Sequence, residues 1–564
     1  MADRYLVTSA LPYVNGIKHL GNFAGSILPA DVHARFRRQT GAKVLFVCGT
    51  DEHGTPAELA AAGAGQPVAD YCAGAHARQE DSYRALGVAF DRFGRTSSAA
   101  NAALTQHLFR RLDAEGLIAE RAVPQVWSPA DGRFLPDRYV LGTCPRCAAP
   151  DARGDQCDAC GTLLDPVELG RPRSALSGST DLEVRESRHL FLRQDLLRAR
   201  LRAWLGTRSG WPPFVVSLAR SWLTDDLRER CITRDLAWGV PVPKAGYEGK
   251  VFYVWFDAPI AYLALVREWA AEDPARGDWL DWCEEGRGTA WLQFLGKDNV
   301  PFHTVGFPAT LLGSGEPWKT ADVVKGFHWL SYDGAKFSTS RRRGVFCDEA
   351  AEALPADLWR WWLVANAPET ADVDLDLRRV AADVNKDLAD VFGNLANRLV
   401  GLAWRRYGGV VPVGGVPGPR EAALAAEVES RLAAIRSAHE ACEFRRAAAG
   451  TRALWDLANA YVQETRPWQA DPEGLDRDAL ALRVGLALVR IGALAAWSVI
   501  PGIAGDALRL LGLSADGTPP WPDAALLVAD DLGGCRLGPA VPLVPKVAPE
   551  RVEALVARFA GRDG

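Results

Sequence analysis

The stretch ALPYVNGIKHLGN, residues 10–22, decides the fold. It follows a short β-branched and aromatic run (Tyr5, Leu6, Val7) and precedes an apolar-periodic stretch that ends near Arg37. Strand, Pro/Asn/Gly-rich turn and helix in that order open a βαβ unit. Open parallel sheets take ligands outside the carboxyl ends of their strands, where a helix N-terminus offers unpaired N–H groups to phosphate. His19 and Asn22 fall at that junction and both can donate hydrogen bonds, while Gly21 leaves room for close approach. The same residues also fit a capped helix beside a loop histidine, so the turn alone decides no function.

Working outward, KVLFVC (43–48) reads as a second strand ending in GTDEHGT (49–55), which puts Asp51 and His53 on the same sheet edge as His19. A carboxylate there suits an ammonium or a ribose hydroxyl, although aspartate also forms turns. FYVWFDAPIAY (252–262) and WLQFLGKDNVPFH (291–303) each read as a buried strand ending in polar residues. Tyr13, Trp255, Tyr262 and His303 thus fall in or after strand-end segments, as an aromatic pocket wall or as core. DGAKFSTSRRRG (333–344) is a basic Gly/Ser/Thr loop without Walker A spacing; Lys336 is placed either to meet phosphate oxygens or to be solvated.

The α/β alternation breaks between about Ile118 and Arg234. There TCPRCAAPDARGDQCDACG carries two Cys-x-x-Cys knuckles, Cys144/Cys147 and Cys157/Cys160, with Gly154 and Gly161 at the turns. Four thiolates at this spacing suit one structural zinc, bound at about 2.3 Å with no open position. An Arg-rich helical stretch, RQDLLRARLRAWL, follows. After about Asp372 only the 3.6-residue period survives, in VNKDLADVFGNLANRLVGLAW, REAALAAEVESRLAAI and DALALRVGLALVRIGALAAWSVI. The expected fold is α/β: a Rossmann-type parallel sheet (1–117 and 235–330) split by a zinc-binding connective insertion (118–234). A loop region (331–380), an all-α helical bundle (381–540) and a tail helix (541–564) complete it.

A chain of 564 residues, 48% hydrophobic, has material for roughly three or four such units. Its net charge of -5 does not by itself suggest a polyanionic partner, though charge acts locally. The start has no basic and then apolar leader, and no run of about 18 uninterrupted apolar residues occurs, which predicts a cytoplasmic protein without a membrane partner.

Together these segments resemble the methionyl-tRNA synthetase family of class I aminoacyl-tRNA synthetases, over almost the whole chain and in family order. His19-Leu20-Gly21-Asn22 is similar to the HIGH signature and Lys336-Phe337-Ser338-Thr339-Ser340 to KMSKS. ALPYVNG, GTDEHGTP, FYVWFDAPIAY and GKDNVPFH resemble the family's methionine and ATP segments, and the cysteines its zinc module. The resemblance implies that methionine attacks Mg-ATP to give methionyl-adenylate, and that the acyl group then passes to the 3' end of tRNA(Met). It implies His19, Asn22 and Lys336 as catalytic residues, joined by Gly21, Gly296, Asp298 and Thr339 in binding ATP. Ala10, Leu11, Tyr13, Asp51, Trp255, Pro259, Tyr262 and His303 would hold methionine, with Asp51 on its ammonium. Asn394, Arg398, Pro467 and Trp468 would read a CAU anticodon.

Two positions depart from the family pattern. Asn22 replaces a histidine but keeps a donor; Thr339 replaces the second lysine of KMSKS, and Arg341, Arg342 or Arg343 stands near enough to compensate. A duplicate synthetase with altered inhibitor sensitivity, or one supplying activated methionine to another pathway, is the alternative this raises; a catalytically silent RNA-binding protein is a third reading. The absence of a large editing insertion favours a side chain with distinctive chemistry, since one methylene discriminates by only about 1–3 kcal/mol. With no appended basic β-barrel after Gly564, the expected state is a monomer.

Overall fold

The structure is a computed structural model that describes residues 3–154, 157, 159, 160, 162, 164–337, 343–469, 475–529 and 531–560. Five parallel strands, Arg4–Ser9 (β1), Lys43–Thr50 (β2), Arg92–Arg95 (β3), Thr289–Gly296 (β4) and Val323–Phe327 (β5), lie in the order β5-β4-β1-β2-β3. β1, β2 and β4 are apolar at their centres because helices cover both sheet faces, which is why they read as continuous runs. The strand order reverses between β1 and β4. Arg4 to Ser9 pair there in parallel with Thr289 to Phe294, and at the carboxyl ends the chains diverge around a crevice.

The helix after β1 runs from Leu20, through a π-helical turn at Phe23–Ile27, into Leu28–Gln39 (α1). The segment 252–262 is not the strand its uniform apolarity predicts. Only Val251–Phe252 pair, antiparallel with Thr233–Arg234, and from Val254 the chain is helical to Ala271 (α2). Burial on every side hides the helical period, leaving no pattern by which helix and strand differ. A second correction is small: Val373–Leu375, beyond the last predicted strand, pairs in parallel with Leu330–Tyr332, a ladder too short to show in sequence.

The insertion is built on a long antiparallel pair, Ile118–Ser128 against Glu183–Leu192, and a three-stranded sheet that carries the cysteines. It is tied to the parallel-sheet domain through Glu58, whose carboxylate accepts from Tyr139 Oη and from Arg133 in the insertion and from Trp238 N–H, just beyond it, at 2.9 Å.

Helix Ala356–Ala365 (α3) joins the sheet to the bundle, which contains Asn394–Tyr407 (α4), Pro419–Glu440 (α5), Phe444–Thr465 (α6) and Leu475–Ala496 (α7). Asp476–Ala496 is long and apolar enough to cross a membrane by composition, yet 94% of its most apolar stretch is buried, so it is core. Arg360 on α3 is fully buried and ion-paired at 2.6 Å with Asp31 on α1, itself fully buried. Its other N–H groups donate to the carbonyls of Leu86, Gly87, Ser498 and Val499. One guanidinium therefore joins the His19 helix to the bundle. Burial acts to raise the Asp31 carboxyl, but Arg35 and Arg360 outweigh it and hold it below the usual range.

Breaking a buried pair strands a charge, so Arg360→Met is expected to cost about 3–5 kcal/mol in denaturant unfolding. Because the Asp31 pKa is depressed, the pair's contribution is present above the ordinary carboxylate pKa and is lost as pH falls through the folded-state value. The acid limb of the stability profile should flatten in Arg360→Met.

Candidate functional site

The crevice at the strand reversal is closed on one side by the turn after β1. Ala10 N–H donates to Phe294 O at 2.9 Å, Asp51 N–H to Pro12 O at 2.8 Å and Val14 N–H to Asp51 O at 3.1 Å. Backbone bonds thus fix the turns after β1 and β2 against each other. His53 in turn reaches α2: its Nδ1 lies 2.7 Å from Asp257 Oδ2, and Asn101 Nδ2 donates to the same oxygen at 3.4 Å.

These ties enclose a pocket of about 420 Å3 lined by Ala10, Leu11, Tyr13, Asp51, Trp255 and Ala258, with Pro259, Tyr262, Asn299, Phe302 and His303 completing it. All eight residues expected to hold methionine are among them. Ala258, Asn299 and Phe302 are additions, and helical spacing would have exposed them: 255, 258, 259 and 262 share one face of α2, and 299, 302 and 303 one face of the next turn. His303 Nδ1 lies 2.9 Å from Asn299 O and must carry the proton; Nε2, 2.9 Å from Tyr262 Oη, then accepts from the phenol. Burial holds its pKa down at about 4, so this wall is neutral.

Asp51 supplies the charge. It is buried and its Oδ1 has no hydrogen-bond partner among the described residues. Burial, then Asp257 and Glu52, push its carboxyl well above the ordinary range. A pocket with one orphaned carboxylate and otherwise apolar or neutral walls fits a cation attached to a compact apolar chain.

On the other side of the turn, His19 caps the helix, its Nδ1 accepting from Asn22 N–H at 3.3 Å, which leaves Nε2–H as donor. Burial, and then Lys18, lower its pKa to about 4. Gly21 is needed for packing: a Cβ there would lie 2.9 Å from His19 Nδ1 and 3.3 Å from Leu330 O. The Phe337 ring stacks on His19 with centroids 4.4 Å apart. Exposed Lys336 places its Nζ 4.9 Å from the centroid of Trp329, and Lys297 lies 3.9 Å from the same ring. Gly296 ends β4 with Asp298 folded against it; a Cβ would lie 2.7 Å from Asp298 Oδ1. Thr339, with Ser338, Ser340, Arg341 and Arg342, lies outside the described residues.

The four cysteine sulfurs lie within 4.8 Å of one another, with Cys144–Cys160 at 3.9 Å and Cys147–Cys157 at 3.6 Å. A tetrahedron with zinc–sulfur bonds of about 2.3 Å has edges of about 3.8 Å, so the set fits zinc and leaves no position for substrate. Gly154 serves close packing, since a Cβ would lie 2.4 Å from Asp137 O; Gly161 lies outside the described residues.

In the bundle, Asn394 and Arg398 are exposed one turn apart on α4. Arg466 takes a left-handed conformation (φ 46°) that ends α6, after which Pro467 is buried and Trp468 is 41% exposed. The Arg398 guanidinium lies 5.9 Å from the Trp468 ring centroid, and both border a groove of about 920 Å3 with Arg405 and Gln463. Trp468 is therefore not a core tryptophan.

Comparison with known proteins agrees with this anatomy. The model of "tRNA synthetases class I (M)" matches residues 5–400, and that of the "anticodon binding domain of methionyl tRNA ligase" matches residues 411–564. The chain belongs to the methionyl-tRNA synthetase family. Among relatives it is 51% identical to the methionine–tRNA ligase of Jannaschia sp. and 49% to that of Streptomyces avermitilis, with 99% of each chain covered. The Mycobacterium tuberculosis methionyl-tRNA synthetase in complex with methionyl-adenylate superposes with a TM-score of 0.78 at 26% identity, covering 96% of this chain and 99% of that one.

For a member of this family the cysteine cluster carries a direct test. The purified protein is expected to hold about one zinc per chain by elemental analysis, and Cys157→Ser to lose it and expose the insertion to protease. Metal-free protein with an equally protected insertion would show the cluster to be a set of free thiols.

Proposed function

We infer that the chain is a methionine–tRNA ligase that activates L-methionine with Mg-ATP and passes it to the 3' end of a CAU-anticodon tRNA(Met). The observation that carries the reading is the orphaned Asp51 carboxylate inside an aromatic pocket that adjoins the His19–Asn22 turn. The substrate ammonium pairs with Asp51 and its thioether chain runs against Trp255, Pro259, Tyr262 and His303. This directs the methionine carboxylate toward the α-phosphate of ATP near His19. Little covalent help is required of the protein, because positioning and charge stabilisation supply the acceleration.

Nε2–H of His19, the amide of Asn22 and the Lys336 ammonium bond phosphate oxygens as charge moves on to pyrophosphate, while Gly296 and Asp298 face the ribose and Thr339 donates from the loop. Magnesium enters with ATP and neutralises the leaving pyrophosphate. Zinc stays structural. Trp468 offers a stacking face to an anticodon base, with Asn394 and Arg398 beside it to read base edges. The chain acts as a monomer in the cytoplasm.

Charging of a CAU-anticodon transcript with labelled methionine tests the reading; no methionylation at any enzyme concentration would overturn it. Stacking is worth about 1–3 kcal/mol per base, so Trp468→Ala should lower charging roughly 10- to 100-fold and leave adenylate formation unchanged. Asp51→Asn should raise the methionine KM roughly 10- to 100-fold, as expected for a charged hydrogen bond worth about 1.5–3 kcal/mol. Because the Asp51 pKa is raised, methionine affinity in the native protein should fall with decreasing pH before ordinary carboxylates titrate, and Asp51→Asn should abolish that dependence.

A further inference from the structure

Asp51, Glu52 and His53 follow one another after β2, and each side chain is taken by a different part of the fold. Asp51 lines the pocket. Glu52 is fully buried and accepts from Thr50 Oγ1 and Arg95 Nε, each at 2.8 Å, and from Ser97 Oγ, which locks the turn onto the end of β3. His53, also buried, bonds Asp257 on α2. The turn that carries Asp51 is therefore a fixed base, and His53 is a side-chain link from it to α2.

The first turn of α2 needs such a link. It presents Trp255, Ala258 and Pro259 to the pocket, yet its own backbone bonds are weak. Asp257 N–H reaches Tyr253 O only at 3.4 Å, and Pro259, inside the helix, has no N–H to return to the Trp255 carbonyl. Helical spacing puts Asp257 on the face turned away from those residues, where its side chain is fully buried. Its Oδ2 takes both of its bonds, 2.7 Å to His53 Nδ1 and 3.4 Å from Asn101 Nδ2, while Oδ1 has no partner among the described residues. His53 thus supplies the short bond that holds a buried carboxylate, and through it the turn that bears the aromatic wall.

We propose that His53 is a positioning residue for methionine: its bond to Asp257 fastens the back of α2 to the Asp51 turn and so sets the distance between the ammonium site and the walls that take the side chain. This rests on the ligase reading. The consequence is selectivity, because an apolar pocket separates chains that differ by one methylene by only about 10- to 200-fold, and a wall that shifts loses that margin. ATP meets His19 and Lys336 on the other side of the β1 turn, so the loss falls on the amino acid and spares the nucleotide.

Pyrophosphate exchange by the full-length protein, with methionine, leucine and ATP each varied, tests this in His53→Leu, His53→Asn and the double variant His53→Leu/Asp257→Leu. His53→Asn carries an amide nitrogen where Nδ1 stood and keeps the bond. The double variant removes both partners and leaves no unpaired buried charge, so it should fold even where His53→Leu alone does not. The expected result for His53→Leu and the double variant is a methionine KM raised roughly 10- to 100-fold, with the ATP KM changed less than about three-fold. Their kcat/KM preference for methionine over leucine should shrink at least roughly 10-fold, while His53→Asn stays within about three-fold of the native protein in each quantity. A double variant with native methionine KM and selectivity would show that the pair only balances a buried charge, and would overturn the proposal. So would His53→Asn as impaired as His53→Leu, which would place the role in packing of the ring against Trp238, or an ATP KM that rises in step with that for methionine. Absence of exchange in the native protein would instead overturn the ligase reading on which the proposal stands.

Discussion

The reversal of strand order between β1 and β4 is the constraint on which the site depends. Two parallel strands whose connections leave in opposite directions must open a crevice at their carboxyl ends, and no loop can close it without crossing a neighbour. Residues from four distant parts of the chain meet there because they follow or pack on those strands: the turn at 10–22, Asp51 after β2, α2, and the 296–303 segment after β4. The crevice also divides the labour. Asp51 and the aromatic walls lie on one side of the β1 turn, His19 and Asn22 on the other, and the turn itself is held by backbone bonds that no side-chain substitution removes.

The charges within that frame are few and unevenly paired. Asp257 is engaged by His53, and Asp31 by Arg35 and Arg360. Asp51 keeps an oxygen without a partner among the described residues. The unmatched carboxylate lines the pocket, while the matched charges brace the frame around it. This is the arrangement expected where binding of a zwitterion completes the electrostatics of a site. His303, held neutral by burial, lets an uncharged side chain enter beside them at little desolvation cost.

Much of this was legible in the residues. The strand, Gly-rich turn and helix order at 5–37, the second strand ending at Asp51, the two cysteine knuckles and the helical period after Asp372 all correspond to what folds. The segment 252–262 was misread because burial on every side erases the polar positions by which period is judged. That error also concealed Ala258, whose place on the pocket face is plain once 255, 258, 259 and 262 are seen as one side of a helix. Arg360 was invisible for another reason: its partners lie on α1, after Leu86 and near Ser498, separations that no local pattern encodes. Trp468 could not be told from a core tryptophan in a chain of 20 until the left-handed Arg466 placed it at the surface.

The central claim is that an orphaned carboxylate and a neutral aromatic wall together select one amino acid. The direct measurement is pyrophosphate exchange by the native protein across a panel containing methionine, leucine, isoleucine, valine and norleucine. Methionine should support exchange with the highest kcat/KM, with norleucine, its unbranched hydrocarbon analogue, next, and the branched amino acids lower by at least the roughly 10-fold that shape in an apolar pocket provides. Exchange driven equally by leucine or isoleucine would contradict the account.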